Sequence, residues 1–189
     1  MRSTIVAAMV VAATLIVGLP AAAQVTQTDV PGILNFSSID NAEALPGPKV
    51  GFGGATEPAA MPWLAEQGFA TVINLRFATE AGAEVDKSRA AAEAVGLRYI
   101  HLPFNDEDPD PELLEKLRTA LGNQADQPFY IHCHSATRAA ALWMIWRVSY
   151  AGVDLETARS EARSIALKPD EAVAFAEKYL KAHQYRPRE

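Results

Sequence analysis

The only cysteine of this 189-residue chain lies in the run Pro128-Phe129-Tyr130-Ile131-His132-Cys133-His134-Ser135-Ala136-Thr137-Arg138. An apolar stretch ends at the thiol, four small or polar residues come next, and an arginine closes the loop. A strand that delivers a thiol to a tight turn at a helix N-terminus builds an anion site with a nucleophile in its floor. Backbone N–H groups of the turn and the helix dipole supply positive potential there. Together with the Arg138 guanidinium they favour thiolate over thiol, and the thiolate is the nucleophile. Such a sulfur is expected at the bottom of a donor-lined cup, facing solvent.

Two chemistries use a thiolate held in this way. Attack on phosphorus gives a phosphocysteine, and attack on a sulfane sulfur gives a persulfide. In both, Arg138 would grip an oxyanion with two parallel hydrogen bonds. His134, Ser135, Ala136 and Thr137 would form the anion-binding loop, where Ser135 and Thr137 can add hydroxyl donors and Thr137 can cap the next helix. Phosphomonoester hydrolysis also needs an acid to protonate the leaving oxygen. The stretch 104–110 offers Asp106, Asp108 and Asp110. Asp110 precedes Pro111 and reads as a helix cap, which leaves Asp106 or Asp108 for the acid. Sulfur transfer has no such need. Arg76, at the end of another apolar run, is an accessory candidate for the same anion or a salt-bridge partner for the acidic stretch. His132 and His134 flank the thiol, the first suited to packing or support behind it and the second to tuning it. A metal site at His132-Cys133-His134 lacks separated ligands elsewhere, and the pattern calls for no cofactor.

These groups need a scaffold, and the sequence outlines one. Strands are expected over 35–39, 49–54, 69–75, 97–102 and 127–133, from β-branched and aromatic runs bounded by turn residues. Helices are expected over 57–67 behind a Thr56 cap, 79–96, 110–122, 137–150, 154–166 behind Asp154, and 170–183 behind Asp170. Residues 24–32 read as a flexible lead-in, and 33–189 as one domain. Strands alternating with helices predict an α/β fold with a mostly parallel sheet covered on both faces. Ligands then sit beyond the carboxyl ends of the strands. Arg76, the acidic stretch and Cys133 all fall at such ends.

The N-terminus reads as a signal peptide over 1–23. Met1-Arg2 leads into an apolar run over 5–19, with Ala21 and Ala23 then at small-residue positions. The run is shorter than the ~20 residues of a comfortable span. Cleavage near Ala23/Gln24 would export the protein to the periplasm or beyond and leave no stable membrane insertion. Arg2 is the only charge lost, which takes the net charge from −6 to −7. An acidic surface offers no field for nucleic acid. One cysteine cannot form an internal disulfide, and the composition specifies no oligomeric state.

Four segments in order carry a resemblance: Gly53-Gly54-Ala55-Thr56-Glu57-Pro58, Phe69-Ala70-Thr71-Val72-Ile73-Asn74-Leu75-Arg76, Gly96-Leu97-Arg98-Tyr99-Ile100-His101-Leu102-Pro103, and His132 to Arg138. Over roughly residues 33–150 the chain resembles the phosphatase-like domain of the beta-lactamase-hydrolase-like family, a bacterial branch of the dual-specificity, tyrosine-phosphatase-like fold. The resemblance implies a cysteine-phosphatase fold and hydrolysis of a phosphorylated small molecule or protein. Three departures stand beside it. Tyrosine phosphatases place five residues between cysteine and arginine where this chain has four. They carry glycine where Ala136 stands, and Ser or Thr where Ala139 stands. The shorter spacing is similar to that of rhodanese-type sulfurtransferases and implies a sulfur-donor substrate. A non-catalytic anion-binding module is the third reading.

Overall fold

The β-branched and aromatic runs form a six-stranded sheet in the computed structural model, which describes residues 23–40, 45–103 and 111–183. The strands are β1 (Val25–Gln27), β2 (Ser37–Asp40), β3 (Lys49–Gly53), β4 (Thr71–Asn74), β5 (Arg98–His101) and β6 (Phe129–His132), in the spatial order β1-β2-β3-β6-β4-β5. Strands β3, β6, β4 and β5 are parallel, and β1 and β2 add an antiparallel edge. Every residue of β4 and β6 is buried, as the near-continuous apolar runs require of strands covered on both faces.

Among the described residues six α-helices cover the sheet: α1 (Met61–Glu66), α2 (Val85–Ala94), α3 (Pro111–Gly122), α4 (Thr137–Ser149), α5 (Leu155–Ile165) and α6 (Pro169–Ala182). Alternation along β6 divides the core into two layers. Phe129 and Ile131 point into the layer of α3, α4, α5 and α6, where Trp143, Met144 and Leu117 meet them. Tyr130 points into the layer of α1 and α2, beside Met61, Leu64 and Tyr99. Cys133 continues the first set. Helix α4 is buried from Ala139 through Val148, clasped between the sheet and the α5–α6 pair. Its one buried cation, Arg147, pairs with Glu161 of α5, as a buried charge must.

Several local expectations change. The lead-in contains β1, which pairs Val25 with Ile39 and is tied to the end of α5 by Gln27 Nε2 donating to Ser164 O (2.8 Å). The long helix expected from Thr79 begins only at Val85, because Gly82 (φ 71°) and Glu84 (φ 39°) take left-handed conformations that no helix accepts. Asp154 caps α5 as expected, accepting from Thr157 N at 2.9 Å. Asp170 does not cap α6, since Pro169 already opens that helix after Lys168. Thr56 caps nothing, and its hydroxyl instead bonds Gly54 O (3.0 Å) and the Tyr130 hydroxyl (2.7 Å). Asp106, Asp108 and Asp110 lie outside the described residues, as does the signal segment up to residue 22.

Candidate active site

Beyond the carboxyl end of β6 the chain turns sharply into α4, and the backbone of its neighbours fastens the turn. Cys133 N donates to Gly53 O (3.1 Å), Ala55 N to His134 O (2.8 Å) and Leu167 N to Ser135 O (3.2 Å). A Cβ on Gly54 would stand 2.9 Å from His134 O and 3.0 Å from Leu34 O, so only glycine lets the end of β3 lie this close. Ala136 closes the turn in the left-handed region (φ 58°, ψ −6°), buried, as the residue that precedes α4. Thr137, read from the sequence as able to cap, is therefore already inside the helix. Its hydroxyl accepts from Ser135 Oγ at 3.0 Å.

The Cys133 side chain is fully buried, which corrects the expectation of a sulfur facing solvent. Segments remote in sequence converge on the turn and shut it in. The guanidinium is nevertheless close enough to the thiol for the two to interact electrostatically, so the four-residue spacer suffices to bring them near one another. Arg138 also donates from Nη1 to Leu75 O (3.2 Å), and from Nη1 and Nη2 to the two carboxylate oxygens of Glu80 (2.7 and 2.8 Å). Burial alone would lower the Arg138 pKa, but Glu80 and Cys133 outweigh it and hold the guanidinium more firmly protonated than usual.

Glu80 is the residue that the sequence did not single out. It falls within what composition marks as helix, and the one signal against that assignment is Gly82 two residues on. Phe77 N donates to its Oε1 (2.8 Å) and Arg76 Nε reaches Oε2 (3.4 Å). Burial would raise its pKa; the hydrogen bonds and charge of Arg138, with the Phe77 N–H, bring it down to about 2.

Arg76 commits its guanidinium to the loop that follows it, where Glu80 is the carboxylate it meets. The Arg76 side chain is 2% exposed, and its Nη1 and Nη2 donate to Gly82 O (2.9 Å) and Ala81 O (2.7 Å). The guanidinium thus pins the 76–84 loop in the shape that presents Glu80. His132 stands behind the turn, stacked on Tyr130 at 5.6 Å between ring centroids. Neither of its ring nitrogens has a hydrogen-bond partner among the described residues. Burial, with the charges of Arg76 and Arg138 adding, pushes its pKa down to about 4. His134 is exposed and forms part of the wall of a cavity of about 500 Å³, together with Thr56, Glu57, Pro58, Arg76 and Glu84. Among the described residues no group of His, Cys, Asp and Glu is placed to hold a metal ion.

Solved structures share this architecture. A DUF442 protein from Shewanella putrefaciens CN-32 superimposes with a TM-score of 0.60 at 17% identity, over 82% of this chain and 93% of its own. TpbA of P. aeruginosa gives 0.60 at 18% identity, over 84% of this chain and 91% of its own. The core catalytic domain of the PP-IP phosphatase SIW14 from S. cerevisiae gives 0.54 at 16% identity, over 73% and 90%. No curated protein sequence matches the chain. The family described as beta-lactamase hydrolase-like protein, phosphatase-like domain, matches residues 48–152, from the turn before β3 to just past α4, with Cys133 and Arg138 inside. The fold is that of the cysteine phosphatases, and the chain belongs to the phosphatase-like domain family of beta-lactamase hydrolase-like proteins.

Proposed function

We propose that the protein is a cysteine-dependent phosphomonoesterase. The observation that carries this reading is the turn from β6 into α4 at the carboxyl edge of a phosphatase-type sheet, which brings Cys133 near Arg138 with the guanidinium held by the Glu80 fork. The Cys133 thiolate attacks phosphorus, and the P–O bond to the leaving alcohol or phenol breaks as Asp106 or Asp108 gives that oxygen a proton. Water then attacks the phosphocysteine, releasing inorganic phosphate and returning the thiolate. Arg138 and the loop amides stabilise the negative charge on the transferring group. TpbA has been solved in complex with phosphotyrosine, and SIW14 is a PP-IP phosphatase, so both monoester and more highly charged substrates occur on this architecture. The apolar N-terminal segment supports an exported enzyme, and cleavage between Ala23 and Gln24 would leave β1 whole.

Hydrolysis of a generic aryl phosphate tests the reading. Turnover should vanish in Cys133→Ser and slow in Asp106→Asn or Asp108→Asn, and an active Cys133→Ser enzyme would end the proposal. The four-residue spacer is the one observation favouring persulfide transfer instead. Under that reading thiosulfate leaves an extra sulfur atom on Cys133 and releases sulfite, which intact mass detects.

A further inference from the structure

The cavity beside the Cys133 loop carries two exposed carboxylates on its wall. Glu57 and Glu84 are exposed on the wall of the cavity that reaches His134. Glu57 makes no ion pair among the described residues, and Glu84 pairs only with Lys87, in an open surface contact that leaves its field largely intact. Behind them stands the Arg76–Glu80–Arg138 group, in which Glu80 lies between two guanidiniums near Cys133. Leu34 and Leu167, whose main chains bond Gly54 (Gly54 N to Leu34 O, 2.7 Å) and Ser135 (Leu167 N to Ser135 O, 3.2 Å), are exposed by 45% and 52%.

We propose that this mouth reads the surroundings of a phosphorylated side chain on a polypeptide and selects segments with a cationic residue beside it. The inference rests on the phosphatase reading of Cys133. A phosphate on Arg138 places the adjoining residues over the cavity whose wall His134 shares. A neighbouring Lys or Arg meets Glu57 and Glu84. Polyanionic phosphoesters such as inositol polyphosphates must bring their remaining phosphates against the same two carboxylates and are repelled. Each charge pair at such a half-solvated rim is worth about three- to ten-fold in kcat/KM at low salt, and less as salt screens it.

The test compares two phosphotyrosine peptides, alike except that one has lysines and the other glutamates beside the phosphotyrosine. Phosphoethanolamine, inositol hexakisphosphate and p-nitrophenyl phosphate complete the panel. The lysine peptide should be turned over with a kcat/KM about ten-fold or more above the glutamate peptide, and the ratio should approach one at high salt. In the Glu57→Lys/Glu84→Lys variant the ratio should invert, and because it is a ratio any change common to both peptides cancels. Equal rates for the two peptides, a ratio indifferent to salt, or preferred turnover of phosphoethanolamine or inositol hexakisphosphate would each overturn the inference while leaving the phosphatase reading in place. Failure to hydrolyse p-nitrophenyl phosphate together with both peptides would remove the phosphatase reading itself, and this inference with it.

Discussion

Helix α4 carries two Arg–Glu forks, one near each end, and they do opposite things. Near the C-terminal end Arg147 donates to Glu161 through Nε (2.9 Å) and Nη2 (2.8 Å), and Trp143 Nε1 donates to the same carboxylate (2.9 Å). Those two charged side chains are 4% and 0% exposed. At the N-terminal end Arg138 and Glu80 are 17% and 25% exposed, and a thiol stands beside the guanidinium. The helix dipole favours a cation at the first place and opposes it at the second. Arg147 therefore contributes to folding where it sits, whereas Arg138 occupies a position that only an anion justifies. The same fork is structural when sealed between two helices, and at the open edge of a sheet it is what the proposed function uses to hold an anion.

Breaking the sealed fork should have the largest effect. Arg147→Ala leaves Glu161 charged, buried and short of its main partner, which costs about 3–5 kcal/mol of stability. Urea unfolding measures it, with activity per folded molecule retained. A loss below about 1 kcal/mol would mean that the pair is not sealed, and the contrast with Arg138 would lose its basis.

Breaking the open fork should spare the fold and damage the chemistry. Arg138→Lys keeps the charge but loses the planar pair of donors, so kcat/KM for an aryl phosphate should fall about 10²–10³-fold. The midpoint of unfolding should move little. A lysine enzyme within ten-fold of the native rate would show that a point charge serves as well as a fork.

The two ends differ again in acid, because His132 and Glu80 both lie near the open fork. His132 has its pKa held at about 4 against an ordinary 6.5. Between those values the unfolded chain binds a proton that the native state refuses, so stability is full above pH 6.5 and falls as pH drops toward 4. The loss over that window is roughly 2–4 kcal/mol. Glu80, held at about 2 against 4.5, adds its own loss only below pH 4.5, where its unfolded form begins to take up a proton. His132→Phe keeps an aromatic ring on Tyr130 and should flatten the pH 6.5–4 part of the stability profile while leaving the lower part. An unchanged slope between pH 6.5 and 4 in that variant would show that His132 is not buried neutral.

Much of this contrast was legible in the residues, and the remainder was hidden for physical reasons. The β4 and β6 runs announce doubly covered strands, and the residue just past a strand's carboxyl end lies at the sheet edge, so Arg76 and Cys133 were placed correctly. Asp154 was legible as a cap because an Asx cap is a contact over three residues. Glu80 was not, because its segment has helical composition and the helix is defeated by distant partners: Arg138 claims the carboxylate while Arg76 claims the carbonyls of Ala81 and Gly82. The burial of Cys133 was hidden likewise, since Leu75, Glu80 and Leu167 reach the loop from positions far along the chain. The start of α4 at Thr137 was read correctly but its cap was not, because Ala136 had already set the backbone, and α6 begins one residue before the expected Asp170 because Pro169 opens it.

The smallest effect separates two alanines of the same region. Ala136 and Ala139 are both fully buried, one in the left-handed turn and one inside α4. Replacing a buried helical alanine by glycine costs about 0.5–1 kcal/mol of backbone entropy and about 0.8 for the lost methyl, so Ala139→Gly should destabilise by about 1.5 kcal/mol. Ala136→Gly bears the same two costs, but a left-handed alanine is already strained by about 1–2 kcal/mol, and glycine releases that. The terms cancel, and Ala136→Gly should unfold within about 0.5 kcal/mol of the native protein. Parallel denaturation of the two variants reads the difference directly. Equal destabilisation would mean that the turn holds Ala136 without strain, and that the alanine standing where tyrosine phosphatases use glycine carries no penalty in the loop that positions Cys133.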